Sequence, residues 1–150
     1  DWSSDVCSSD LEKTLVNADQ LYPIVSLRLA SGRLDSIIIP SNLDAIVTSN
    51  QDIQYRIVLN ANLSGAAWQN HYRGNVQYDT SATSMSVLSG TNIVGGYINK
   101  QGSINLSNTN SFNYQLGRLL DGTSEIVTVA MQATSPNTKI LADFSWYEIV

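Results

Sequence analysis

Side chains that could carry out acid–base or metal chemistry are sparse in this sequence. His71 is the sole histidine, and the sole cysteine is Cys7. A histidine can act as a general base or a metal ligand near neutral pH, but it needs partners to do so. A zinc site would have to be built almost entirely from carboxylates, which is uncommon. We therefore expect His71 to be a loop histidine, and we expect no bound metal and no cofactor.

The carboxylates are dispersed along the chain. Glycoside hydrolysis needs two carboxylates that face each other across a cleft, and no spacing in the sequence pairs them. Most stand at strand ends or in turns, where Asp is favoured because its side chain bonds to nearby backbone N–H groups. The segment 121–125 lacks the alternating ligands of an EF-hand calcium loop, so a plain turn is expected there. The carboxylates considered are Asp35, Asp44, Asp52, Asp79, Asp121, Glu125, Asp143 and Glu148.

Motifs for nucleophilic catalysis and for phosphate binding do not occur in the sequence. Neither Gly-x-Ser-x-Gly nor Ser-x-x-Lys is present. The glycine-rich phosphate loops of nucleotide-binding proteins are missing as well. The sequence thus predicts a protein that is not an enzyme.

Aromatic side chains are the remaining candidates for ligand or partner contact. Trp68, Tyr72 and Tyr78 could form a sugar-stacking platform, because an aromatic ring offers a flat apolar face with a polar edge. Packing in the core is the commoner fate of such rings. Trp146 and Tyr147 are adjacent, so on a strand they point to opposite faces, and only one of them is expected in a one-sided core.

An alternating pattern of apolar and polar residues dominates the chain and predicts β-strands. It is clearest in segments 24–29 and 52–60 and in the closing segment 140–150. Segment 125–133 is apolar on both faces, which indicates a central strand. Weaker strands are expected at 35–39, 43–48, 76–79, 93–98, 103–106 and 112–116, and single helical turns are plausible at 17–21 and 62–67.

Glycine, Asn, Asp and Ser separate these segments in combinations that are typical of turns. About ten short strands with such turns and no sustained helical period predict one all-β domain, an antiparallel β-sandwich with a jelly roll as one possible topology. No internal repeat of a solenoid or propeller is visible.

The first eleven residues resemble a translated sequencing adapter, so they are expected to be an artefact and residues 12–150 to be the native domain, the carboxyl-terminal part of a longer chain. Three of the 13 acidic residues lie in that stretch, so the remainder carries a net charge of about −2 rather than −5. Arginines are scattered singly, which argues against nucleic-acid binding. The apolar runs are far shorter than the ~20 residues of a membrane helix, which argues against a membrane span.

Residues 12–150 resemble a class of virion structural proteins of large-genome tailed bacteriophages, known mostly from environmental and metagenomic sources. The resemblance lies in segments 23–29 and 33–40, in 55–60 followed by Gly65 and Trp68, and in 76–79, 95–97, 116–122 and 145–148. It implies a location in the virion and protein–protein contacts in a head, neck, baseplate or tail assembly.

Partners are then expected to be copies of the chain and other virion proteins, because virion assembly reuses one interface in every copy. The two apolar faces of 126–131 and an edge strand near the carboxyl terminus are the expected contact regions. The alternative is a carbohydrate-binding or receptor-binding module that uses Trp68, Tyr72 and Tyr78 for a host-surface glycan.

Overall fold

The computed structural model describes residues 2–7, 12–33, 36–71, 75–86, 90–100, 102–107 and 115–149. Within these residues the regular elements are β-strands and one 3-10 turn at Ser31–Arg33. The strands are β1 (Trp2–Cys7), β2 (Lys13–Leu15), β3 (Tyr22–Leu29), β4 (Ile37–Val47), β5 (Ile53–Leu59), β6 (Asn62–Ser64), β7 (Gln69–Asn70), β8 (Val76–Asp79), β9 (Ser84–Ser86), β10 (Thr91–Ile98), β11 (Ser103–Ser107), β12 (Ile126–Ala133) and β13 (Thr138–Ile149).

The strands form two antiparallel sheets that pack face to face. The five-stranded sheet has the order β1-β13-β4-β11, and β2 also pairs with β13. The six-stranded sheet has the order β10-β5-β12-β3-β8-β7. Side chains from the inner faces of both sheets make one core, in which Phe144 and Trp146 of the first sheet meet Leu27, Ile57 and Val129 of the second. The predicted antiparallel β-sandwich is confirmed.

The central position predicted for segment 125–133 is also confirmed. β12 lies between β5 and β3 and pairs with both. Val127 and Val129 point into the core between the sheets, while Thr128 and Ala130 point to the opposite face and are buried as well. Burial on both faces explains why both faces of this strand are largely apolar. Because residues 127–131 are already buried inside the domain, the expectation that the two faces of segment 126–131 contact a partner is wrong.

The outer face of the six-stranded sheet is covered by a small third layer. Strands β6 and β9 pair with each other, and β9 contacts β3. Ser26, Val58 and Thr128 all lie on this outer face, and each is fully buried. The alternation in segments 24–29 and 52–60 predicts strands with one buried face, and the burial of Ser26 and Val58 on the other face corrects that prediction.

Other local predictions are corrected by the structure. The two strands expected at 35–39 and 43–48 are a single strand, β4, which pairs with β13 from Ile37 to Val47 with one irregularity opposite Ser145 and Trp146. Segment 62–67 begins with strand β6 instead of a helical turn. Residues 17–19 form a tight turn without a helix, with Asp19 at a φ of 58°. Most of the strand expected at 112–116 lies outside the described residues.

Strand β13 is not an edge of its sheet. It pairs with β4 on one side, and on the other side with β2 at Thr138–Ile140 and with β1 at Asp143–Glu148. In the sequence as given, the carboxyl-terminal strand is therefore paired on both sides. The pairing at Asp143–Glu148 comes from β1, which falls within the eleven residues that resemble an adapter, so the expectation of a carboxyl-terminal edge in residues 12–150 stays a prediction.

Candidate functional site

Strand β10 is an open edge of the six-stranded sheet. It pairs with β5 from Thr91 to Ile98, and no strand in the described part of the chain pairs with its other side. The register is irregular between Asn92 and Val94 and regular from Val94 onward. An edge strand presents a row of backbone N–H and C=O groups that can pair with another chain.

Most monomeric proteins protect such an edge with Lys, Pro or a short strand. β10 is 8 residues long, and its sequence, TNIVGGYI, contains neither charge nor proline. The other described edge strands are shorter: β7 has 2 residues in this sheet, and β1, β2 and β11 have 6, 3 and 5 in the other sheet. Tyr97 on β10 is 75% exposed, although it is a large aromatic residue. An uncharged, exposed and long edge favours pairing with another strand.

The two glycines of β10 have a packing role. A Cβ atom added to Gly96 would lie 2.7 Å from the Tyr55 hydroxyl and 3.0 Å from the Tyr55 ring. The glycine therefore lets the Tyr55 ring lie directly against β10. Burial of this ring raises the pKa of Tyr55 from its usual value. A Cβ atom added to Gly95 would lie 3.2 Å from the Tyr55 carbonyl oxygen. Because neither glycine has a side chain, the backbone of β10 is uncovered at these two positions.

The final strand separates its two aromatic residues as the sequence predicted. Trp146 is fully buried in the core, and Tyr147 on the opposite face is 44% exposed. Tyr147 lies across from Ile39 on the outer face of the five-stranded sheet. Ile46, on the same outer face, is 49% exposed. This face therefore exposes two large apolar side chains beside the charged Asp44 and Lys139.

A buried polar network surrounds Trp146, and sequence analysis did not foresee it. The Trp146 indole N–H donates to Glu148 Oε1 at 2.9 Å, and Asn75 Nδ2 donates to Glu148 Oε2 at 3.1 Å. Arg33 Nε donates in turn to Asn75 Oδ1 at 2.8 Å. Glu148 is fully buried, so these donors replace the water that its carboxylate has lost. The network ties β13 to the segments that flank β3 and β8.

His71 lies in the loop after β7, as predicted, but it is buried. Its exposure is only 7%, and its ring packs edge-on against the Trp146 ring with centroids 5.0 Å apart. Its backbone N–H donates to the Val76 carbonyl at 2.9 Å. The ring is thus part of the packing around Trp146.

The aromatic residues proposed for sugar stacking do not share one surface. Arg28 and Leu27 alternate on β3, and Leu27 is in the core. The Arg28 guanidinium lies 4.2 Å from the centre of the Trp68 ring, so Trp68 is on the outer side of the sheet. Tyr78 is opposite Leu27 and packs against the core. Tyr72 lies outside the described residues. A flat platform that contains both Trp68 and Tyr78 is therefore not formed.

The Asp79 carboxylate accepts four hydrogen bonds from nearby backbone and hydroxyl groups. Its side chain accepts from Ser81 Oγ at 2.7 Å and from the backbone N–H groups of Ala67, Ser81 and Ala82 at 2.9, 3.1 and 3.0 Å. Burial pushes the pKa of Asp79 upward, but these hydrogen bonds outweigh it and leave the pKa below its usual value. Burial lowers the pKa of Lys13, and the charge of Asp79 partly offsets that effect. Asp79 is a structural residue of this turn.

The turn at 121–125 forms as expected. Asp121 Oδ1 accepts from Thr123 Oγ1 at 2.6 Å and from Thr123 N at 3.0 Å, and these bonds hold the pKa of the exposed Asp121 below its usual value. Among the described residues, no group of three His, Cys, Asp or Glu side chains is placed to hold a metal ion. No helix in the described part of the chain is long and apolar enough to cross a membrane.

Comparisons with known proteins give little additional guidance. No family model and no curated protein sequence matches the chain. One similar solved structure is a chain of the T13 IBDV viral particle, at 10% identity and a TM-score of 0.21, covering 99% of this chain and 39% of that one. Another is the VLP of the extra small virus (XSV) of the giant freshwater prawn Macrobrachium rosenbergii, at 11% identity and a TM-score of 0.18, covering 96% of this chain and 79% of that one. Similarity at this level does not establish a shared fold.

Proposed function

We propose that this chain is a non-enzymatic structural domain of a virus particle that acts through contacts with copies of itself and with other virion proteins. The observation that carries the proposal is the unprotected edge of β10. Its exposed and uncharged backbone is suited to main-chain pairing with another strand. The sequence resemblance supplies the assignment to a bacteriophage virion, in a head, neck, baseplate or tail assembly.

A second copy of the chain is the simplest partner for this edge. Two β10 strands can pair antiparallel about a twofold axis and so join two six-stranded sheets into one. Because β10 carries no charge, the twofold arrangement brings no like charges together. The exposed Tyr97 ring then packs across the junction, where aromatic cross-strand pairs are favourable.

Size-exclusion chromatography with light scattering tests this proposal. We expect the wild-type chain to form a discrete oligomer, and we expect the double variant Asn92→Lys/Tyr97→Lys to be a folded monomer, because lysines on an edge strand oppose pairing. The control is Ile46→Lys, which adds one lysine to an exposed apolar position on β4, away from the edge. A monomeric wild type at high concentration would contradict the proposal. Dissociation by Ile46→Lys alone would place the contact on the face of the other sheet.

A further inference from the structure

A cleft of about 520 Å³ lies at one end of the six-stranded sheet, separate from the β10 edge. It is formed by the end of β3, the start of β12, the turn at 60–62 and the loop that contains Thr123. Its volume is within the range of small-molecule binding sites, roughly 300–1,000 Å³. The cleft is lined by Arg28, Ser31, Asn60, Asn62 and Ile126, among others.

Arg28 is the one charged residue among the described residues that line the cleft. Two contacts hold its side chain in place. Nε donates to Gln77 Oε1 at 2.7 Å, and the guanidinium carbon lies 4.2 Å from the centre of the Trp68 ring. The two terminal nitrogens have no hydrogen-bond partner within the described part of the chain. Burial lowers the pKa of Arg28 from its usual value, but a guanidinium remains charged at neutral pH. A guanidinium held in this way can donate two parallel hydrogen bonds to the two oxygens of a carboxylate.

Neutral hydrogen-bonding groups stand beside this positive charge. Asn60 Oδ1 accepts from the Ile126 backbone N–H at 3.0 Å, and the Asn60 backbone N–H donates to the Ile126 carbonyl at 2.7 Å. These bonds fix Asn60, which has a φ of 59°, and leave its Nδ2 donor without a partner among the described residues. The side chains of Asn62 and Ser31 are exposed at the rim of the cleft. Ile126 lies opposite Arg28 on β12 and adds an apolar side chain to this wall.

We propose that this cleft binds a carboxylate-bearing saccharide. Arg28 takes the carboxylate in a bidentate pair, Asn60 and Asn62 bond to the sugar hydroxyls, and Ile126 contacts the C–H face of the ring. A neutral sugar would give the Arg28 guanidinium no anionic partner. A simple carboxylate would make no hydrogen bonds to the side-chain amides of Asn60 and Asn62. The combination of one fixed cation with several neutral donors and acceptors therefore favours an acidic sugar over either.

Titration of the full chain with sodium glucuronate, followed by ¹H–¹⁵N NMR, tests this site. We expect shifts of the Arg28 Nε–H and of the Asn60 and Asn62 side-chain amides. Glucose and acetate should each bind at least about tenfold more weakly than glucuronate. Acetate that binds as tightly as glucuronate would overturn the saccharide assignment, and glucose that binds as tightly would overturn the role of Arg28.

Variants separate the roles of charge and shape. Arg28→Gln should weaken glucuronate binding about tenfold or more, and Arg28→Lys should weaken it less, because a lysine keeps the charge but loses the fork. Arg56→Gln removes the same charge from another strand of the sheet and should leave binding unchanged. Asn62→Ala changes an exposed side chain that the fold does not need, and it should weaken binding several-fold. Full affinity in both Arg28→Gln and Asn62→Ala would overturn the site.

Discussion

The buried hydroxyl pair of Ser26 and Thr128 gives a quantitative test of the third layer. The two oxygens are 2.8 Å apart across β3 and β12, and both residues are fully buried. They lie on the outer face of the six-stranded sheet, where β9 contacts β3. Removing one hydroxyl leaves the other buried without its partner, which costs ~1–3 kcal/mol, whereas removing both can be nearly neutral.

A double-mutant cycle measures this coupling. We expect Ser26→Ala and Thr128→Val each to lower the free energy of unfolding by ~1–3 kcal/mol and the double variant to lose clearly less than the sum. Each kcal/mol should lower the melting temperature by roughly 2–4 °C for a domain of this size. Urea unfolding of the four proteins provides the free energies, with the exposed Thr14→Val as a control near zero. Single variants that cost under about 0.5 kcal/mol would show that water reaches this face, and additive losses would refute the pairing.

Three further predictions follow from single features. Asp79→Asn should cost ~1–3 kcal/mol, because an amide cannot accept from Ala82 and also from its other donors. Since the folded pKa of Asp79 is lowered, its contribution is present above the unfolded pKa near 4 and is lost as the pH falls through the folded pKa. Urea titrations should therefore show a constant gap from the wild type between pH 7 and 5 that closes below about pH 4, and a gap that widens in acid would contradict this. Trp146→Phe should cost roughly 2–4 kcal/mol by removing the donor to Glu148, while Tyr147→Phe on the exposed side should be silent in thermal unfolding. Deletion of residues 1–11 should leave a cooperative unfolding transition, because β13 keeps its long pairing with β4, and loss of cooperativity would show that these residues are part of the native fold.

The fold was predictable because period-2 alternation reports directly on which face of a strand is buried. Segment 125–133 is apolar on both faces, and that alone identified the central strand β12. Trp146 and Tyr147 were separated correctly because adjacent residues of a strand point to opposite sides. The covering layer was not predictable, because β6 and β9 are only 3 residues each and carry no pattern. The burial of Ser26 and Val58 on the outer face was not predictable for the same reason.

Functional features depended on contacts between distant segments. The Glu148 network joins residues from β13, from the turn after β3 and from the start of β8, and no spacing in the sequence links them. The Arg28 cleft likewise combines four separate segments of the chain. The edge of β10 had a usable signal, since an uncharged run with two glycines is unusual for a protected edge. Its position at the edge, however, depends on the order of strands, which alternation does not reveal.

Amide hydrogen exchange along β10 tests the central proposal most directly. Backbone N–H groups that face away from β5 should be protected in a concentrated sample, because they pair with a second copy. They should lose that protection on dilution and in Asn92→Lys/Tyr97→Lys, while protection of β12 stays unchanged. Rapid exchange of these amides at every concentration would contradict assembly through β10.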